Sequence, residues 1–125
     1  MFDDVFGEVS FRAGWYTEDY IKFCDNQYKI YVRAKSYRKT DLITDDQRTS
    51  YASYKENRLA ISNEIENMLA SYKNKDFLNS LKPTGLTFER NGGYALLFDD
   101  DNDLDNGIAV VLSPNREVMT QDDYL

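Results

Sequence analysis

At 125 residues the chain is long enough for one domain and one core, so residues 1–125 are expected to form a single globular unit. Hydrophobic residues at 42%, aromatics at 14% and only two prolines exclude a disordered or low-complexity chain. A net charge of −7, one cysteine and no histidine argue against binding to a phosphate backbone. They also exclude an internal disulfide and the Ser-His-Asp and Cys-His nucleophile systems, and make a zinc site improbable.

The start, "MFDDVFGEV", lacks a basic segment followed by an apolar run, and no window approaches ~20 apolar residues. With the lone Cys24 fitting a reducing compartment, the expected setting is cytoplasmic, bacterial or phage-like, without membrane insertion. Charge is unevenly spread: Lys29, Arg33, Lys35, Arg38 and Lys39 crowd one segment, while acids gather at 99–105 and at Asp122 and Asp123. A dipolar molecule is one reading and a solvated charged face the plainer one.

In chain order, "DVFGEVSFR", "DYIKFC" and "YKIYVRAKSY" read as strands. In the third, Ile30, Val32 and Ala34 alternate with Lys29, Tyr31, Arg33 and Lys35, which puts an apolar set on one face and a basic set on the other. Between the second and third, Asp25 and Asn26 suit the positive φ of a tight hairpin. Cys24, at the end of an apolar strand, reads as a buried small hydrophobe rather than a nucleophile.

At Thr44 the period changes. "TDDQ" is a capping box, with Asp45 and Asp46 against the positive end of the helix dipole. Tyr51, Tyr54, Arg58, Ile61, Ile65, Met68 and Tyr72 then recur every three or four residues, predicting one helix over about 45–74, roughly 45 Å long at ~1.5 Å per residue. Such a helix would lie across a sheet. Arg58 interrupts the apolar stripe and is expected either to snorkel or to pair with an acid beneath it. "KDFLNSLKP" adds a helical turn that Pro83 is expected to stop.

Strands resume with "GLTFER", the Asn91–Gly93 turn, "YALLF", an acidic loop, "GIAVVL", the turn "SPN" and "REVMT". The expected fold is therefore α+β: an antiparallel sheet with one long helix packed across it, in the order βββ-α-ββββ.

The acidic loop, "FDDDNDLDNG", carries Asp99, Asp100, Asp101, Asp103 and Asp105. Asp101, Asp103 and Asp105 have the D-x-D-x-D spacing of the first calcium ligands in an EF-hand loop. The sixth and twelfth places hold Asn106 and Leu112 in place of Gly and Glu, and the flanks read as strands, so an EF-hand is excluded. A weak calcium site at Asp101, Asp103 and Asp105 is the alternative to the plain reading, a solvated connection between two core strands. A run of adjacent exposed aspartates offers no asymmetry for acid–base catalysis, so no enzyme activity is expected.

Two stretches carry a resemblance: the Ile43–Thr44–x–x–Gln47 helix start with its spaced tyrosines, and "FDDDNDLDNGIAVVL" followed by "REVMTQDDYL". Together they resemble a family of small bacterial proteins classed as a domain of unknown function. Its aspartate-x-acid-Asn/His-Gly turn and closing Gln-Asp fall on Asp103, Asp105, Asn106, Gly107, Gln121 and Asp122. The resemblance implies a shared architecture and a loose association with toxin-immunity loci. The resulting expectation is a non-enzymatic binding protein, of immunity type, that meets a protein partner through Asp99, Asp100, Asp101, Asp103 and Asp105, with no nucleic acid partner and no cofactor beyond the calcium alternative.

Overall fold

The computed structural model describes residues 1–125. A separate ribbon of β1 (Phe2–Asp3) and β2 (Gly7–Glu8) opens the chain. Then β3 (Ser10–Phe11), β4 (Trp15–Phe23) and β5 (Asn26–Ala34) run as an antiparallel meander. Cys24 and Asp25, at φ 51° and 67°, form the two-residue turn between β4 and β5, one position earlier than the Asp25–Asn26 expectation. Asn26 instead pairs with Phe23.

The single long helix is not what forms. Two helices, α1 (Asp45–Glu56) and α2 (Arg58–Tyr72), meet at Asn57, whose backbone leaves the helical region at φ −114° and ψ 19°. The Asn57 side chain bonds the Ser53 carbonyl at 2.9 Å, the local competition with backbone pairing that makes asparagine a poor mid-helix residue. The break keeps both halves of the apolar stripe on the sheet: Tyr51 and Tyr54 from α1, and Ile61, Ile65 and Leu69 from α2, are all buried.

A 3₁₀ turn (Lys75–Ser80) leads into β6 (Leu81–Phe88), followed by β7 (Tyr94–Asp100), β8 (Ile108–Ser113), β9 (Glu117–Thr120) and an unforeseen terminal turn of helix, α3 (Gln121–Tyr124). Pro83 does not end a helix; it lies within β6 at a register shift, the place where a strand tolerates a missing N–H.

The α+β class holds, while the element order and the purely antiparallel sheet do not. The main sheet has seven strands in the order β3-β4-β5-β6-β7-β8-β9, and β5 pairs with β6 in parallel through Tyr31↔Gly85, Val32↔Leu86, Arg33↔Thr87 and Ala34↔Phe88. The cause is the helical layer, which carries the chain back to the end of the sheet where β5 began, so that β6 must run alongside β5.

Period-two alternation sorts the sheet into two faces. Ile30, Val32, Leu86, Phe88, Leu96, Phe98, Ile108 and Val110 meet the helices and are buried. The other face presents Tyr16, Tyr20, Lys29, Tyr31 and Arg33 on β4 and β5, with Lys35 just past the end of β5, and Ala95, Ala109 and Val111, all buried, on β7 and β8. No helix is long and apolar enough to cross a membrane.

Candidate functional site

The motif at the helix start serves the fold. Thr44 accepts from the Gln47 N–H at 3.1 Å and the Gln47 side chain accepts from the Thr44 N–H at 2.9 Å, closing the capping box. Fully buried, the Gln47 amide donates onward to the Lys35 carbonyl at 3.0 Å and the Phe88 carbonyl at 3.1 Å. One side chain thereby ties the ends of the two parallel strands to α1.

Arg58 pairs with an acid beneath the helix layer, the second of its two expected fates. Its Nη2 lies 2.9 Å from Asp19 Oδ2, which also accepts from the Tyr51 hydroxyl at 2.8 Å. Burial and the Asp19 carboxylate push the Tyr51 phenol well above its usual range, and burial raises Tyr54 to about 12. The Tyr54 hydroxyl is buried with no hydrogen-bond partner.

At the acidic loop the five aspartates divide. Asp99 and Asp100 are still in β7, opposite Lys82 and Leu81. Asp100 is turned inward, only 6% exposed, where its Oδ1 accepts from the Asn102 N–H at 3.0 Å and its carbonyl accepts from the Asp103 N–H at 3.0 Å. It shapes the turn rather than the surface. Asp99, Asp101, Asp103 and Asp105 are exposed, and Leu104, at the tip, is 84% exposed.

Asp101 Oδ2 stands 4.0 Å from Lys82 Nζ, and the Asp103 carboxylate accepts from Asn106 Nδ2 at 3.1 Å. No three or more carboxylate or thiol side chains are gathered into a group that could hold a metal ion, so Asp101, Asp103 and Asp105 are not brought to one point. Asp103 is engaged by Asn106 from within the turn.

Four of the six positions named for the resemblance come together, while Asp105 and Asp122 stay exposed. Gly107, at φ 56°, donates its N–H toward the Asp103 carbonyl at 3.4 Å and accepts from the Gln121 N–H at 3.3 Å. Gln121 Nε2 reaches over Gly107 to the Phe98 carbonyl at 2.8 Å. Asp103, Asn106, Gly107 and Gln121 thus form a clasp at the base of the loop, and Asp122 stays exposed in the first turn of α3.

A second site lies on the outer face of the sheet. A cavity of about 650 Å³ opens over β5 and β6, lined by Tyr31, Arg33, Lys35, Thr87, Glu89 and Arg90 with Tyr37, Leu97 and Leu125 at its sides. Lys35 Nζ is 2.9 Å from Glu89, and Glu89 also accepts from the Tyr124 hydroxyl at 3.0 Å. Burial, reinforced by Glu89, raises the Tyr124 phenol. Alternation had put Arg33 and Lys35 on one face; the partners from β6, β7 and the terminal turn are set by strand register, which carries no local mark in the sequence.

Cys24 sits half-buried in its turn, with its N–H donated to Glu66 at 3.3 Å, and burial with the nearby Glu66 and Asp25 charges raises its thiol pKa. That environment opposes a thiolate nucleophile. Compared with protein-family models, with curated proteins and with solved structures, the chain matches none.

Proposed function

We propose that this protein is a non-catalytic binding protein of immunity type that engages a basic protein partner through the 99–105 loop. The observation that carries the reading is Leu104, an apolar side chain 84% exposed at the loop tip and flanked by the exposed Asp103 and Asp105. An apolar anchor ringed by like charges suits a partner with an apolar pocket and a basic rim, the anchor supplying affinity and the rim steering the encounter.

Two features support a pre-shaped loop. The inward Asp100 and the Gly107–Gln121 clasp fix its two ends, which lowers the ordering cost of association.

The test is partner recovery from host extract by three forms of the tagged protein: wild type, a variant with Asp99, Asp101, Asp103 and Asp105 changed to Asn, and Leu104→Ser. The expected result is a partner retained by wild type, weakened by added salt, and lost from both variants. Unchanged recovery by both would sink the loop as the binding surface.

A further inference from the structure

We propose that the outer-face cavity around Arg33 is a binding site for a small organic anion carrying a planar ring. At about 650 Å³ the cavity is within the size range of small-molecule sites, roughly 300–1,000 Å³. Its charge is opposite to that of the molecule. Three cationic side chains, Arg33, Lys35 and Arg90, face one carboxylate, Glu89, in a chain of net charge −7.

The three cations are not equivalent. Lys35 is neutralised by Glu89 at 2.9 Å. Arg90 spends Nη1 on two neutral acceptors, the carbonyls of Lys35 at 3.2 Å and Leu42 at 2.9 Å. Arg33 takes part in no ion pair, and its Nε is buried with no hydrogen-bond partner. That Nε is out of a ligand's reach, but the two outer nitrogens of the Arg33 guanidinium are neither buried nor hydrogen-bonded within the protein, and these are the donors an incoming anion would meet.

Arg33 is also held in place. Its guanidinium lies 6.0 Å from the centre of the Tyr16 ring, and its stem runs so close under Gly14 that a Cβ there would come within 3.2 Å of Arg33 Cγ. A guanidinium constrained in this way loses little freedom on pairing with a carboxylate, sulfonate or phosphate. Tyr31 and Tyr37 add aromatic side chains to the lining and Leu97 and Leu125 apolar ones, so an inorganic ion would leave much of it unused. A long polyanion would meet the repulsion of the whole acidic molecule, whereas a singly or doubly charged small molecule meets little of it.

The experiment is a fluorescence titration at physiological salt with two probes of similar shape, the sulfonate 8-anilinonaphthalene-1-sulfonate and the neutral N-phenyl-1-naphthylamine. Amide NMR shifts locate the bound probe. The expected result for wild type is saturable one-site binding of the sulfonate, at least about tenfold tighter than the neutral probe, with shifts centred on 31–37 and 85–90. Arg33→Met is expected to abolish that preference while the protein still melts cooperatively.

Tyr37→Ala changes a residue 92% exposed and so leaves folding intact; it is expected to weaken both probes alike. Equal binding of the two probes by wild type overturns the proposal. So do shifts elsewhere, a preference that survives in a folded Arg33→Met, and tighter binding of a short oligothymidylate than of the sulfonate at the same salt.

Discussion

The side-chain amide of Gln121 occupies the space beside Gly107: a Cβ on Gly107 would lie 2.6 Å from Gln121 Nε2 and 2.8 Å from the Phe98 carbonyl oxygen. Gly107→Ala must therefore both hold φ near 56° and displace a hydrogen-bonded amide. The expected cost is about 1–3 kcal/mol, read from urea unfolding, and Gln121→Ala should cost about 1 kcal/mol without the backbone strain. Equal stability of Gly107→Ala and wild type would remove the clasp from the account.

Gln47 is the second test of a buried polar tie. Gln47→Leu keeps the volume but removes one of two donors from each of the Lys35 and Phe88 carbonyls and the acceptor from the Thr44 N–H. A loss of roughly 2–4 kcal/mol is expected, with the midpoint shifted and the urea slope unchanged.

The two buried tyrosines of α1 should respond in opposite ways. Tyr54→Phe removes a buried hydroxyl that has no partner, and is expected to be neutral or to stabilise by about 1 kcal/mol. Tyr51→Phe gives up the bond to Asp19 and should cost about 1 kcal/mol. Thermal melts of the pair decide it.

Stability should fall in acid through Asp3. Burial alone would raise its carboxyl, but the Phe6 N–H, the Arg48 guanidinium and the Val5 N–H together hold it below the usual 3.8. A depressed carboxyl stabilises the fold above its unfolded value and loses that contribution as pH drops through the folded value. Wild type should therefore weaken as pH falls from about 4 toward the folded value, and Asp3→Asn should be less stable at pH 7 with a flatter acid limb. Urea midpoints from pH 7 to pH 2 supply the check.

The strand and helix periods were legible because burial imposes them. Ile30, Val32 and Ala34 face the core as their alternation requires, and Thr44–Gln47 caps a helix as its chemistry requires. The break at Asn57 was hidden because the apolar stripe passes through it without a missed step, so spacing alone reads as one helix. The parallel pairing was hidden for a different reason: direction depends on where the helices return the chain, and no residue in "YVRA" or "GLTF" records it. The cavity lining was half visible, since alternation puts Arg33 and Lys35 on one face, while Thr87, Leu97 and Leu125 reach them only through register. In the acidic loop, composition could not tell the inward Asp100 from its exposed neighbours.

The parallel ladder between β5 and β6 also sets how the chain can fold. On one side of it β3, β4 and β5, and on the other β6 to β9, are meanders of sequence neighbours that can zip locally. The four pairs from Tyr31↔Gly85 to Ala34↔Phe88 join partners separated by the whole helical segment, so closing that loop is the step with the largest entropic cost. The seam should form late, after both meanders, so at equal cost in stability mutations within a meander should slow folding more, and mutations beside the seam should speed unfolding more.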